Sequence, residues 1–432
     1  MRAIGEVFDA ITACCGAAVG GVAILLPITY AWAGEGTPYA LANLYTSVPR
    51  GAAIGVVVAA AVAVLVTTFT RPVTAWMVAL AGSCGLFVNH LAGHNASSAD
   101  LLATQDYVES LCGGILLGAL GAAVLRAPLP AFGFALGAIG FFVYGDLAEF
   151  LDIKARDPYA VLDTPPTWLI GSTILLIVLS AIRNGVRRGR FRDPRQAAEL
   201  PITPVLAALV IALPVLMGTE WLARQYDRSG GHTIDITLAV IATVTAATVA
   251  AMLLPRRDGV AILLAASLVP TSDALGATPR PTWSLAAVLV ATGIGIVAGF
   301  RAPVPGFGLF MIGVLSVFAI VVAPYDNTVM YAIGSIALAF IAGYCCGCAQ
   351  PRYAPSGVLA LAALFLPSIV TALPVEGDLP VRDAMAGVGT PGKTALVITI
   401  GCAIGLTGLY RLRPPSQPRP LAPAPTGAVA DI

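Results

Sequence analysis

Charge is what this 432-residue chain has least of. Asp, Glu, Lys and Arg together make up 11% of it, against about 25% in soluble domains. Hydrophobic residues make up 58%. A soluble globule cannot cover such a core, which leaves lipid as the solvent. Net charge is +1, so there is no basic field to attract nucleic acid. Lysine is nearly missing: Lys154 and Lys393 stand against 22 Arg, in a chain dense in Ala, Val and Gly. That texture is typical of a GC-rich bacterial genome. The eight Cys form no secreted disulfide framework. Long polar segments are missing too. The longest stretches between apolar runs (33–51, 150–165, 183–200, 374–393) have roughly twenty residues, which leaves no room for a separate catalytic or nucleotide-binding domain.

What is present is a succession of apolar runs. Bounded by charges or Pro/Gly clusters, they predict an all-α polytopic membrane bundle of about 14 spans: 12–32, 52–70, 73–93, 107–125, 131–149, 166–182, 201–222, 233–254, 259–276, 282–300, 306–323, 328–349, 356–373 and 394–410. Ala31-Trp32-Ala33 mimics a signal cleavage site. The apolar stretch before it is long and a polytopic chain follows, so it reads as an uncleaved first helix. With the N-terminus inside, 16 of the 24 basic residues fall in the inner segments and 17 of the 23 acidic ones on the outer side. Every inner loop then carries at least one Arg, as the positive-inside rule requires. This alternation predicts a bacterial plasma-membrane protein with both termini cytoplasmic. The tail from 414 to 432 is Pro-rich and reads as disordered.

The octapeptide Arg126-Ala-Pro-Leu-Pro-Ala-Phe-Gly133 recurs as Arg301-Ala-Pro-Val-Pro-Gly-Phe-Gly308, six of eight positions identical at an offset of 175. Aligning the two maps helices 1–6 onto 7–12 in the same orientation, a parallel repeat. The division expected is 1–195, a first six-helix repeat with its basic linker; 196–353, a second; and 354–413, a C-terminal hairpin. A weaker echo joins 259–270 to 357–367. The 6 + 6 + 2 plan resembles the multidrug/oligosaccharidyl-lipid/polysaccharide flippases in helix count and repeat alone, and the texture resembles actinobacterial conserved integral membrane proteins. The turn Thr70-Arg71-Pro72-Val73 lacks the Gly/Asp pattern of the major-facilitator loop motif.

Candidate chemistry lies mostly on the outer side. Glu109, Asp146, Glu149, Glu220, Asp235, Asp273 and Asp326 sit at or just inside span ends. An ionisable group within a span points to proton or cation coupling, and the plain alternative is a wetted helix end. Asp146 and Glu149 are three apart and share a helix face. His90 and His94 are spaced i, i+4, which suits a polar or proton-sensitive cluster; the Glu of a zinc-protease helix is lacking, and no metal site is expected. Cys345, Cys346 and Cys348 lack a fourth ligand. Gly387 to Thr394 matches the phosphate-loop lettering, but no strand precedes it, so a surface turn able to hold an anion is expected, with no nucleotide. Pro270 and Pro367 should break their helices, and the freed carbonyls, with Ser267, Thr271 and Ser368, mark a polar pathway. The pairs Gly114/Gly118, Gly133/Gly137, Gly295/Gly299 and Gly401/Gly405 read as helix-packing contacts.

These features point to a secondary transporter or flippase for a small polar or lipid-linked substrate. Membrane lipid and protons or cations are the expected partners, and no cofactor is expected. An envelope-assembly transferase acting at the outer face, or a non-catalytic membrane scaffold, stays open at this point; the balance is against an enzyme.

Overall fold

A computed structural model describes residues 2–25, 38–69, 72–93, 99–144, 165–185, 202–229, 233–275, 283–323, 328–373 and 389–413. The described residues form fourteen helical segments and no strands. They are α1 (Arg2–Ile24), α2 (Pro38–Phe69), α3 (Pro72–Gly93), α4 (Ala99–Val124), α5 (Pro128–Tyr144), α6 (Thr167–Gly185) and α7 (Thr203–Ser229), followed by α8 (Thr233–Leu253), α9 (Gly259–Leu275), α10 (Trp283–Arg301), α11 (Pro305–Val322), α12 (Thr328–Ala349), α13 (Ala354–Ala362) and α14 (Thr390–Leu412). After α13, two 3-10 turns, Ala363–Phe365 and Ile369–Ala372, carry the segment onward. Twelve segments are long and apolar enough to cross a membrane, and α5 and α9 are shorter apolar helices of 17 residues. The chain is a multi-pass membrane helix bundle, as the apolar runs predicted.

Among the boundaries that differ from expectation, the starts of the first two helices differ for one reason. The first span was placed at 12–32, yet α1 begins at Arg2 and the helix ends at Ile24. The second was placed at 52–70, yet α2 begins at Pro38 and runs through Pro49 and Arg50. Charges were taken as span ends. Asp9 and Arg50 instead stay within helices because each has an ionic partner, Arg183 and Glu220. A paired charge costs far less to hold at a helix surface than a lone one. Proline also behaves differently at its two predicted breaks. α9 continues through Pro270. Pro367 does interrupt its segment: the preceding Leu366 takes φ −85°, ψ 121°, the extended geometry that a following proline imposes.

The small-residue pairs act as packing surfaces. On α4, Gly114 and Gly118 lie against the α2 backbone at Gly55 and Ala59. On α5, Gly133 and Gly137 lie against the α1 backbone at Ala10 and Cys14. Gly295 and Gly299 of α10 interlock with Gly343 and Gly347 of α12. Gly401 and Gly405 meet Val244 and Thr248 of α8. Without a hydrophobic force between helices in lipid, such close backbone contact supplies dispersion energy.

The pairing of helices is itself repetitive. Among the first six, α2 packs on α4, α1 on α5, α3 on α4, α1 on α4 and α3 on α6. The same pairs recur eight helices on: α10 with α12, α9 with the α13 segment, α11 with α12, α9 with α12 and α11 with α14. The hairpin α7–α8 lies between these sets in sequence. Its first helix packs on α2, its second on α9 and α14. The two sets meet through α5 against α10 and α12, and through α13, which is buried throughout and packs on α2, α4 and α5. Phe365 stands edge-on to Phe142 (6.4 Å, 88°) and faces Gly21 of α1.

Candidate functional site

The interrupted segment after α13 forms the most specific polar junction in the described residues. Leu366 is pushed extended by Pro367, and Ser368 (φ −87°, ψ 168°) then caps the next turn, its Oγ accepting from the Val370 amide at 3.1 Å. Asp273, near the end of α9, reaches this break. Its Oδ2 accepts the Ser368 hydroxyl at 2.6 Å and the Ser368 amide at 3.2 Å. One carboxylate thus satisfies a backbone donor that the broken helix leaves unused. Two residues back on α9, the buried Thr271 hydroxyl meets that of Ser316 on α11 at 2.9 Å and also bonds the Ser267 carbonyl at 2.9 Å. Asp273 and Ser368, singled out separately from the sequence, are therefore neighbours, whereas Thr271 turns to Ser316 instead. Ser316 was missed: a lone Ser in an apolar run gives no signal until the facing helix is known.

A second junction links α2 to α7. Arg50 and Glu220 form a two-pronged ion pair, Nε–Oε1 2.6 Å and Nη2–Oε2 3.1 Å, with Tyr107 beside the guanidinium. Glu220 was a candidate coupling acid. Its partner was unforeseen because Arg50 reads as a loop residue after Pro49. The α7–α8 hairpin also approaches the first junction, as Gly218 faces Ile369, the neighbour of Ser368.

The third polar group is where α3 meets α4. Asn89 donates to the Gln105 carbonyl at 3.1 Å. His90 and Asp106 are both 4% exposed, and Ser110 is fully buried. Glu109, half-buried, follows Asp106 by three positions on one face. The facing residue on α2 is Gly51, where a side chain would strike Ser110 and Asp106. His94 lies outside the described residues, as do Asp146, Glu149 and Asp326. Asp235 is half-buried in the first turn of α8. No group of three metal-ligating side chains converges among the described residues. The phosphate-loop lettering falls at the start of α14, where buried Gly392 packs against Ile320 of α11.

At the opposite ends of the helices the charges act as clamps. Arg183 of α6 binds Asp9 and the Gly5 carbonyl of α1, with Asn184 adding a contact to Asp9 at 3.3 Å. Just above, Thr12 and Ser180 meet at 3.1 Å. Asp258, in the α8–α9 turn, accepts the Arg352 and Tyr353 amides at 3.1 and 3.0 Å and so holds the start of α13. Burial pushes the Asp258 carboxyl above the usual aspartate range, against the pull of those amides. Arg413 turns back to the Arg256 and Met252 carbonyls at 2.7 Å, at the C-terminus of α8, where a cation complements the helix dipole.

These features define a polytopic bundle with ionisable groups buried at helix junctions. No protein-family profile matches the sequence, and no curated protein matches it. The fold does match. A peptide transporter (POT) in complex with sulfate aligns over 94% of this chain and 95% of its own, with 15% identity and a TM-score of 0.52. A mutant of a peptide transporter bound to alafosfalin aligns over 95% of each chain, with 14% identity and a TM-score of 0.51. At that identity the likeness establishes a peptide-transporter-like fold.

Proposed function

We propose that the protein is a secondary transporter that moves a small polar solute, coupled to protons or another cation at Asp273. The observation that carries the reading is the Asp273–Ser368 junction. An ionisable side chain on one helix holds the interrupted backbone of another. Gaining or losing the carboxylate charge changes what holds the break, so occupancy by a proton and the geometry of the α13 segment are linked. The fold of a peptide transporter supports the class, and small peptides are the first solutes to try. The recurring helix pairs support a division into α1–α6 and α9–α14 with α7–α8 inserted between, in place of 6 + 6 + 2. Parallel six-helix halves are the architecture in which substrate sits between the halves. The distribution of Arg supports a plasma-membrane location with both termini cytoplasmic.

The test is proton movement in proteoliposomes loaded with a pH-sensitive dye and given a mixture of di- and tripeptides under an imposed pH gradient. Wild type acidifies the lumen only with peptide present, Asp273→Asn does not, and Asp273→Glu recovers part of the flux. Equal peptide-dependent acidification by Asp273→Asn removes Asp273 from the coupling role. A wild type inert to every peptide removes peptides as the substrate class.

A further inference from the structure

An apolar groove of about 670 Å³ runs along the outside of the bundle between α11 and α14. Its floor is small or buried: Gly306, Gly313, Leu309 and Leu406. Its walls are exposed Phe310, Val314, Val317 and Ile400. The two threonines that line it spend their hydroxyls on their own helices, Thr399 on the Ala395 carbonyl and Thr407 on that of Ala403. Nothing polar is offered along its length, so the occupant is a hydrocarbon. From Gly306 to Val317 the groove follows eleven residue steps of α11, about 16 Å, and from Leu396 to Tyr410 fourteen steps of α14, about 21 Å. That is about half to two-thirds of the ~30 Å hydrocarbon core, at least the depth of one leaflet.

Cations gather at the end where α11 starts; at the other end exposed Lys393 stands three residues before Leu396. Tyr410 closes the groove beside the start of α11, and the Arg257 guanidinium lies over its ring, 4.7 Å from the centroid. Arg411, the next residue, is exposed, as are Arg256 and Arg352 on the neighbouring turns. Asp258, next to Arg257 in sequence, is buried and engaged with the Arg352 and Tyr353 amides. Arg413 is turned to the α8 carbonyls. Cations at the membrane surface above a leaflet-deep apolar slot match an anionic headgroup above an acyl chain.

We propose that the α11–α14 groove binds an anionic phospholipid, its acyl chain between Gly313 and Ile400 and its phosphate at Arg257 and Arg411. The site stands apart from the Asp273 junction and does not depend on the transport reading. Purified full-length protein, delipidated in detergent, is incubated with phosphatidylglycerol or phosphatidylcholine of identical chains, and retained lipid is counted by native mass spectrometry. A basic residue beside an anionic surface is worth roughly fivefold, so two give a preference of about thirtyfold for phosphatidylglycerol. Arg257→Gln/Arg411→Gln loses most of that preference, and Arg257→Lys/Arg411→Lys keeps it. Gly313→Leu, which places a side chain in the slot beside Leu396, loses retention of both lipids. Equal retention of the two lipids by wild type overturns the proposal, as does unchanged retention in Gly313→Leu. Displacement by inorganic phosphate alone assigns the cations to a free anion and overturns it too. So does a delipidated wild type that dimerises while Gly313→Leu stays monomeric, since the groove is then covered by a second copy.

Discussion

The backbone contact between α4 and α2 permits a quantitative test in which two alanine substitutions serve as each other's control. Gly118 of α4 faces the Ala59 backbone, so closely that an added Cβ would fall 3.0 Å from the Ala59 Cα and 3.1 Å from its carbonyl carbon. Those atoms are backbone and cannot rotate aside, so α2 itself must move. Gly171 of α6 has nothing within 4 Å of the same position. Both substitutions change helix propensity alike, by about 0.5–1 kcal/mol in favour of Ala. That contribution cancels in the comparison, whatever its value in lipid. What is left is the overpacking at Gly118, about 1–3 kcal/mol. Gly347→Ala makes the same test in the second set of helices, where the Cβ would meet the Gly299 Cα at 3.1 Å. Apparent melting in detergent, followed by intrinsic fluorescence at fixed lipid content, ranks Gly171→Ala at or above wild type. It places Gly118→Ala and Gly347→Ala below by similar margins. If all three variants melt together, the interlocked packing of α2–α4 and α10–α12 is wrong and the repeated pairing loses its physical basis.

Three further outcomes follow from the charged junctions. Asp9 is 8% exposed and bound by Arg183, so Arg183→Gln alone should cost about 1–3 kcal/mol by stranding a buried carboxylate. The Asp9→Asn/Arg183→Gln double variant should melt closer to wild type than the single one, and the reverse order would show that the pair is not what matters. The Arg50–Glu220 pair is partly solvated, with side chains 43% and 19% exposed, and solvent screening holds its coupling to about 0.5–1 kcal/mol in a double-mutant cycle with Arg50→Gln and Glu220→Gln; a coupling of zero would mean that α7 is not tied to α2 there. Asp258 has a raised pKa from burial, so its contribution is fully present below the unfolded value near 3.8 and is lost as pH rises through the folded value. Asp258→Asn should flatten that part of the melting-versus-pH curve, and parallel curves for wild type and variant would contradict the assignment.

How much of this was legible in the sequence depends on which physical term governs each feature. Span number and type follow from transfer of apolar runs into lipid, a local property, and each of the fourteen runs overlaps a described helical segment. The starts of α1 and α2 were misplaced because a charge was read in isolation, whereas its cost is set by a partner some 170 positions away. The Gly pairs were readable as packing surfaces because small residues at a spacing of four have one use between helices, but which helix they meet was not. The octapeptide shows the limit most clearly. It lies on the α4–α5 turn and again on the α10–α11 turn, while the division proposed from the recurring helix pairs would set α10–α11 equivalent to α2–α3, joined in sequence through Arg71 and Pro72. Short Arg-Pro turns answer a local need, a cation at the membrane surface and a helix start, and that need can recur at many turns between spans. Their recurrence therefore carries less information about ancestry than the pairing of helices does. Asp273 and Ser368 were each singled out for the opposite reason, although their meeting was not foreseen. An acid near a span end and a Pro-Ser break are each costly in lipid unless something compensates. Two such costs in one chain are most simply met by each other.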